Sequence, residues 1–474
     1  MILFRNKRLL MQCCLYLAGV GCILYLFKSH ASSNSHNIAH SFNVNTLHSN
    51  TKYSELCFED GLKPSIANLD ENLQSWSQAI DRKCQILYGK YQDLYSVSVR
   101  RGALHLPARF KGKVLKWMGG DHKLVSKVYN QTVFHVRNLY SLEHTVYNPL
   151  RAKRPSSGSS GRLDSKSYVS KLAASTNNSC DFCNFREMTA EDVFERIEGK
   201  HSVSAANAFK LDKWHGLILT KKHNPVDLNL EEVLDLFNTS LKWFHKVHSI
   251  DSSAKYPNLI WDSLPHAGAS QVHPHIHTMM DPNQYYGSHH VQQEAARRYH
   301  QYTGNKYWDD LIQIHHALGL TVTLKSAVAV APLTSKKDHE LFILSGEPSV
   351  DFFSLLHQAV QTYYHDLSIY CFSAGLALPP AESMNLRSPA VVRMGTRGDC
   401  SSVHSDISSL ELYSVRPALL TTQMKSQLTT PLLLFQVNNV NVDPYRVIGA
   451  LRKRVVNYLH STDASVARKM VVWP

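Results

Sequence analysis

Short apolar runs and longer amphipathic stretches alternate along the chain, a pattern typical of folds that mix strands and helices. Helical spacing of apolar residues predicts helices at Leu73–Leu94, Leu230–Val247, Val350–Tyr364 and Val447–Leu459. Apolar runs predict strands at Gly216–Thr220, Asn258–Trp261, Gln271–Met280, Ser326–Pro332, Leu341–Leu344, Ile369–Phe372 and Leu432–Val437. Because the order of strands and helix partly repeats after residue 285, the sequence predicts an α+β fold with two similar halves.

One apolar run stands outside this pattern. Leu9 to Phe27 is apolar apart from Gln12, and its length of about 28 Å as a helix is close to the thickness of the bilayer core. Basic residues precede the run at Arg5, Lys7 and Arg8. The positive-inside rule then predicts a single-pass type II membrane protein, with a short cytosolic tail and a lumenal domain in the Golgi or endoplasmic reticulum.

A cleaved signal peptide ending near Ala31 is the alternative to this signal anchor. Lumenal exposure agrees with the glycosylation sequons of a glycoprotein at Asn130, Asn177 and Asn238. In an oxidising lumen, disulfides could form between Cys57 and Cys84 and between Cys371 and Cys400.

Composition narrows the class of partner. A hydrophobic content of 43% and a charged content of 19% are those of a globular protein with a substantial core. The net charge of +13 favours anionic partners. Since no run of Lys and Arg resembles a nucleic-acid-binding arm, we predict a small phosphorylated ligand and no nucleic acid.

Three histidines at a spacing of two form the clearest chemical motif. The segment Gly268-Ala-Ser-Gln-Val-His-Pro-His-Ile-His277 places His273, His275 and His277 on one face of a predicted strand. Such a face suits either a metal ion or a nucleophilic imidazole flanked by groups that hold it and a phosphoryl ligand. A histidine-rich surface strand is the alternative. The pairs at 289–290 and 315–316 are predicted to lie on the surface.

Cys180-Asp-Phe-Cys183 is a C-x-x-C pair, which is half of a zinc site. A redox-type disulfide or two structural cysteines are the alternatives. His223, at the end of a predicted strand, and His273 are natural third and fourth ligands. A Cys2His2 set would be a closed, structural site that holds the histidine strand and leaves His275 free.

Taken in order, these motifs resemble the galactose-1-phosphate uridylyltransferase and diadenosine tetraphosphate phosphorylase branch of the histidine-triad (HIT-like) superfamily. The resemblance covers about residues 147–280. It includes the Gly268–His277 strand, the order of the four zinc ligands, and Tyr147-Asn-Pro-Leu150 followed by Arg151-Ala-Lys-Arg-Pro155. The last two elements abut here, whereas a strand separates them in the family.

The resemblance implies a role for each matching residue. His275 matches the covalent nucleophile, whose nucleotidyl-imidazole intermediate divides one displacement into two. Arg151 and Arg154 match phosphate contacts, with an R-x-K-R processing site as the alternative. Ser270 and Gln271 match residues that line the phosphate site.

Two substrate-site positions depart from the family pattern. His277 stands where that branch carries Gln, and Asp262 where Asn is common. These departures leave transfer and hydrolysis both open. Glu294 matches a ligand of a second metal in the family, but zinc at the first site is the one cofactor we predict.

The expected fold is therefore two HIT-like halves behind a membrane anchor. The predicted segments are a cytosolic tail and anchor (1–30), a stem (31–52), a region of unknown role (53–145), a catalytic domain (146–284) and a second half (285–474). We predict a nucleotidyltransferase that acts on a nucleotide sugar or dinucleotide. A homodimer is compatible with this prediction. A hydrolase with the same site and a non-catalytic nucleotide- or glycan-binding protein are the alternatives.

Overall fold

The computed structural model describes residues 52–153, 165–264, 271–381, 388–401, 413 and 437–461. Helices in these ranges are α1 (Tyr53–Leu56), α2 (Leu69–Ser77), α3 (Arg82–Leu94), α4 (Ala108–Trp117), α5 (His122–Tyr129), α6 (Ser165–Thr176), α7 (Phe185–Met188), α8 (Leu230–Ile250), α9 (Gly287–Thr303), α10 (Tyr307–Ala317), α11 (Val350–Gln361) and α12 (Pro444–His460). The strands are β1 (Tyr95–Ala103), β2 (Asn130–Asn138), β3 (His144–Tyr147), β4 (Ser202–Ala206), β5 (His215–Thr220), β6 (Tyr256–Asp262), β7 (His275–Asp281), β8 (Thr321–Leu324), β9 (Ala327–Val330), β10 (Leu341–Ser345), β11 (Phe372–Ala377), β12 (Ala390–Thr396) and β13 (Val437–Val440). The predicted α+β class is confirmed.

The strands form two sheets in the described part of the chain. The larger has the order β4-β5-β7-β6-β11-β12-β10-β9-β8 with antiparallel neighbours throughout. The smaller has the order β1-β2-β3-β13, in which β13 pairs parallel to β3. A disulfide between Cys57, the residue after α1, and Cys84 in α3 lies beside the buried Trp76.

The large sheet contains the same unit twice. Strands β4 and β5, helix α8 and strands β6 and β7 are followed by β9 and β10, helix α11 and strands β11 and β12 in the same order. The units meet at β6 and β11, where Ile260 lies opposite Gly375. His277 is the neighbour of Ile260 and Arg393 is the neighbour of Gly375. By this register Val391 takes the place of His275, so the second unit has no equivalent of that imidazole.

Helix α8 anchors the first unit on one side of the sheet. It begins with a capping box, in which Asn229 accepts from the Glu232 N–H and the Glu232 carboxylate accepts from the Asn229 N–H. Its apolar side buries Trp243, whose ring lies on β5 at Gly216. A Cβ there would come within 2.8 Å of that ring, so glycine permits the close approach of helix and strand.

Several predicted elements shift in the structure. The stretch predicted as one helix over 73–94 is two helices, because residues 78–81 interrupt it. The strand expected from Gln271 begins only at His275. Pro274 has no N–H to donate to a neighbouring strand, and His273 therefore lies in the turn before β7. Most of the strand expected at 432–437 lies outside the described residues.

The prediction that the two histidine pairs lie on the surface is wrong for one member of each. His289 is 7% exposed and His315 is fully buried. Each of these two histidines lies on the inward side of an amphipathic helix. The spacing of apolar residues along the sequence does not show whether a histidine at such a position is buried or solvated.

The prediction of a single-pass type II membrane protein is also corrected. No helix in the described ranges has both the length and the apolar character needed to cross a bilayer. Helix α8 has 21 residues but is amphipathic. The run from Leu9 to Phe27, and most of the predicted stem, lie outside the described residues. The described residues support neither the placement in the Golgi or endoplasmic reticulum nor the glycoprotein prediction that depended on it.

Candidate active site and metal centre

Four predicted ligands converge at the end of the sheet where β7 begins. One ligand atom from each of Cys180, Cys183, His223 and His273 lies within 4.8 Å of the other three. His273 Nδ1 is 3.4 Å from Cys180 Sγ and 3.5 Å from Cys183 Sγ, and His223 Nδ1 is 3.4 Å from Cys183 Sγ. The edge of a tetrahedron with ordinary Zn–S and Zn–N bond lengths is about 3.6 Å. The cluster can therefore hold a metal ion with tetrahedral geometry.

The remaining ring nitrogens of both histidines are already occupied. His273 Nε2 is 2.7 Å from the Thr220 carbonyl oxygen, and His223 Nε2 is 3.1 Å from Thr176 Oγ1. Oxygen acceptors behind the imidazoles fix the tautomer in which Nδ1 carries the lone pair. Each ring thus presents its unprotonated nitrogen to the sulfur atoms, as a metal ligand must.

The pKa values of three of these four side chains are consistent with a bound cation. Burial and the neighbouring Cys180 raise the pKa of the Cys183 thiol to about 11, so two adjacent thiolates require a compensating positive charge. Burial lowers the pKa of His273 to about 4 and also lowers that of His223. Both imidazoles are therefore neutral at physiological pH and available as ligands.

His275 is the first residue of β7 and is 7% exposed. Its Nδ1 donates to the His273 carbonyl oxygen at 2.8 Å, which leaves the Nε2 lone pair unprotonated. Burial lowers the pKa of His275, so the ring is neutral at physiological pH. A neutral imidazole with one nitrogen fixed to a carbonyl is prepared for nucleophilic attack by the other.

His277 is hydrogen-bonded to His215 on the neighbouring strand β5. The Leu211 N–H donates to His215 Nδ1 at 3.0 Å, so the proton of neutral His215 is on Nε2. That nitrogen is 3.0 Å from His277 Nδ1 and donates to it. The proton of His277 is therefore on Nε2. Burial lowers the pKa of His277 well below its usual value, so His277 is a neutral hydrogen-bond donor. Its ring centroid is 5.3 Å from that of His275.

The loop that carries the cysteines also packs against the histidines. Phe182 lies between the two cysteines in sequence and packs edge-on against two histidine rings. Its ring centroid is 5.1 Å from that of His275 and 5.9 Å from that of His273. Phe182 and Phe185 cover an apolar patch formed by Val203, Ala205, Leu217 and Leu219. Leu219 lies opposite His275 and Leu217 opposite His277, which puts this apolar patch on the histidine side of the sheet.

The other predicted site residues do not all lie beside the histidines of β7. Asp262 ends β6, and continuing the β6–β7 register two residues past Ile260 sets it opposite His275. The Gln271 amide donates to Asp181 in the cysteine loop at 3.5 Å. Arg151 lies in a turn after β3 and donates from Nε to Asn441. Arg154 and Ser270 lie outside the described residues.

Two residues of the site were missed by sequence reasoning. His215 is bonded to His277 only because β5 lies beside β7, a pairing between residues 62 positions apart. Phe182 contacts His275 only because the cysteine loop folds over the sheet. The one available sequence signal for His215 was a histidine at the start of the strand that ends near His223.

No protein-family model and no curated protein matches the sequence. Several solved structures are similar to this chain. An ADP-glucose phosphorylase from Arabidopsis thaliana with bound ADP-glucose is 15% identical, with 68% of this chain and 99% of that chain covered and a TM-score of 0.47. A uridylyltransferase is 12% identical (55% and 88% covered, TM-score 0.40). A yeast Ap4A phosphorylase in complex with AMP is 13% identical (78% and 97% covered, TM-score 0.29).

One of these structures is an ADP-glucose phosphorylase, one is a uridylyltransferase and one is an Ap4A phosphorylase. Because all three TM-scores are below 0.5, the likeness carries no conclusion about this chain. The chemistry of this chain therefore has to be argued from its own side chains.

Proposed function

We propose that this protein is a nucleotidyltransferase that works through a covalent nucleotidyl-His275 intermediate. The observation that carries the proposal is the 2.8 Å hydrogen bond from His275 Nδ1 to the His273 carbonyl. It fixes the tautomer with a nucleophilic Nε2, in a ring kept neutral by burial. The proposed substrates are nucleotide sugars or dinucleotides, whose α-phosphorus is the electrophile.

In the first step, Nε2 of His275 attacks the α-phosphorus. A P–N bond forms while the P–O bond to the departing sugar phosphate or nucleotide breaks, and the proton on His275 Nδ1 stays there, hydrogen-bonded to the His273 carbonyl oxygen. The His277 Nε2–H donates a hydrogen bond to the phosphoryl group and thereby offsets developing negative charge. In the second step, an acceptor phosphate oxygen attacks phosphorus, the P–N bond breaks and neutral His275 is regenerated.

We further propose that the Cys180–Cys183–His223–His273 cluster binds structural zinc. Zinc would supply a fixed tetrahedral connection between the cysteine loop, the end of β5 and the turn before β7. His273 is both a ligand and the residue whose carbonyl orients His275. The metal centre would thus support the nucleophile without contacting substrate.

The apolar patch beside the histidines is the proposed site of the nucleotide base. Phe182 contacts His275, and Leu217 lies opposite His277 on the same side of the sheet. Phe209, in the loop after β4, is 89% exposed and free to stack on a base. Hydrolysis at the same site is the second candidate, because the His277 Nε2–H can donate to the phosphoryl group whether the attacking acceptor is a phosphate or a water.

The test is to incubate the full chain with nucleotide sugars and dinucleotides labelled at the α-phosphate. We expect an acid-labile, base-stable protein adduct, lost in His275→Ala and retained in the matched control His290→Ala, whose side chain is exposed. Addition of a sugar phosphate or inorganic phosphate should discharge the adduct. An adduct of equal yield in His275→Ala, or no adduct and no turnover with any of these substrates, would refute the proposal.

The zinc proposal has its own readout. Metal analysis of the purified protein should give one zinc per chain, and Cys183→Ser should lower that content and the thermal midpoint together. Well-folded protein without metal would contradict it.

A further inference from the structure

The end of β1 and the two helices that follow it, α4 and α5, form a strongly basic helical hairpin over residues 100–127. It contains eight Lys or Arg residues, two of them in β1, and a single acidic residue, Asp121. Asp121 caps α5 by accepting from the Lys123 and Leu124 N–H groups. The basic side chains are all exposed: Arg100, Arg101, Arg109, Lys111, Lys113, Lys116, Lys123 and Lys127. Within the described residues none of the eight forms an ion pair.

An apolar cleft of about 210 Å³ opens on this basic hairpin. It is lined mainly by Leu104, Leu106, Phe110, Val114, Trp117 and Met118. The hairpin has its own small apolar cluster, separate from the main core. Leu104 is 41% exposed and Phe110 is 43% exposed, so part of the lining faces solvent.

Charge and cleft lie side by side on α4. Arg109, Lys113 and Lys116 follow one another at helical spacing and form a stripe along the helix. Each is next in sequence to a residue that lines the cleft, namely Phe110, Val114 and Trp117. An occupant of the cleft would therefore meet positive charge along one side.

We propose that this basic hairpin is a docking surface for an acidic peptide segment of a partner protein, with a large apolar side chain seated in the cleft. The charge complementarity is direct, since carboxylates of the peptide would replace solvent around unpaired cations. Helix α4 is about 15 Å long, which an extended segment of about five residues spans. The apolar anchor would supply the specificity that charge alone lacks.

Two other polyanions fit the hairpin less well. A bilayer would require apolar side chains that protrude, whereas these line a concave cleft. A single-stranded nucleic acid would require free aromatic faces. Here Phe110 and Trp117 pack edge to face at 5.6 Å, and Lys113 Nζ lies 5.5 Å from the centre of the Trp117 ring. The acidic peptide is therefore the better match.

The test is selection of random twelve-residue peptides, displayed on phage, against the full chain. We expect enriched peptides to carry Asp or Glu on both sides of a Leu, Phe or Trp. A synthetic copy of the enriched peptide should bind more weakly as salt rises. Its affinity should fall about tenfold or more for the double variant Lys113→Glu/Lys116→Glu, and it should also fall for Phe110→Ala.

A matched control reverses two charges elsewhere. Lys166→Glu/Lys171→Glu changes exposed residues of α6 by the same amount and should leave peptide affinity unchanged. All variants are checked for native circular dichroism. The proposal is overturned if no peptides are enriched, if the enriched peptides are not acidic, or if the reversed hairpin binds them equally well. It is also overturned if phosphatidylserine vesicles or single-stranded DNA bind the hairpin more tightly than the peptide.

Discussion

Replacing His315 by glutamine is expected to remove one protonation step from the acid unfolding of this protein. His315 is fully buried in α10. Its Nδ1 donates to the Leu311 carbonyl at 2.7 Å, and its Nε2 accepts from the Leu333 N–H at 3.1 Å. Only the neutral ring can form both hydrogen bonds, because a second proton, on Nε2, would point at the Leu333 N–H, which is itself a donor. Glutamine retains one donor and one acceptor.

The magnitude follows from the pKa of His315, which burial lowers from 6.5 to about 4. Between these values the unfolded chain binds a proton that the folded chain does not. The stabilising contribution is complete above pH 6.5 and is lost as the pH falls toward 4. At about 1.4 kcal/mol per pH unit, the loss amounts to about 3 kcal/mol.

The assay is urea unfolding of the normal protein and of His315→Gln at a series of pH values from neutral down to about 4.5. Other buried histidines titrate in both proteins, so their contributions cancel in the difference. We expect the difference in the free energy of unfolding to change by about 1.4 kcal/mol per pH unit below pH 6.5, in favour of the variant. A difference that is independent of pH over this range would refute the reasoning.

Three further outcomes are expected. His277→Gln should retain adduct formation within about tenfold, since both side chains donate a neutral N–H; a loss of a hundredfold or more, measured by single-turnover labelling, would instead show that His277 transfers a proton. Cys57→Ser/Cys84→Ser opens a disulfide with a sequence separation of 27 and should lower the free energy of unfolding by about 3 kcal/mol in urea titrations; an unchanged midpoint would contradict this. Arg397→Lys should speed hydrogen exchange around Ser263, because the Arg397 guanidinium donates to that buried carbonyl; unchanged exchange would exclude such a role.

The sequence alone predicted helix α8 and the four residues of the candidate metal centre. The predicted helix from Leu230 matches α8 closely, since its period is local and its cap is built from Asn229 and Glu232. The four candidate ligands were also chosen from residue type and spacing. Two cysteines in a C-x-x-C loop can share one metal ion whatever the rest of the fold does.

Pairings between distant strands were decided by the tertiary structure. The bond between His215 and His277 depends on β5 lying beside β7. In the second unit, Arg393 forms buried ion pairs with Glu340 and with Glu143, two residues far apart in sequence. Local periodicity carries no information on such contacts, because register between strands is set by packing of the whole sheet.

The histidine strand shows both contributions at once. Its sequence determined which imidazoles are present and that they recur every second residue. The fold placed the start of β7 after Pro274, which directs His273 to the cysteines and leaves its carbonyl to orient His275. The sequence therefore specified the chemical groups. Only the tertiary structure divided them between a candidate metal ligand, a proposed nucleophile and a hydrogen-bond donor, since that division depends on which strand or loop each ring meets.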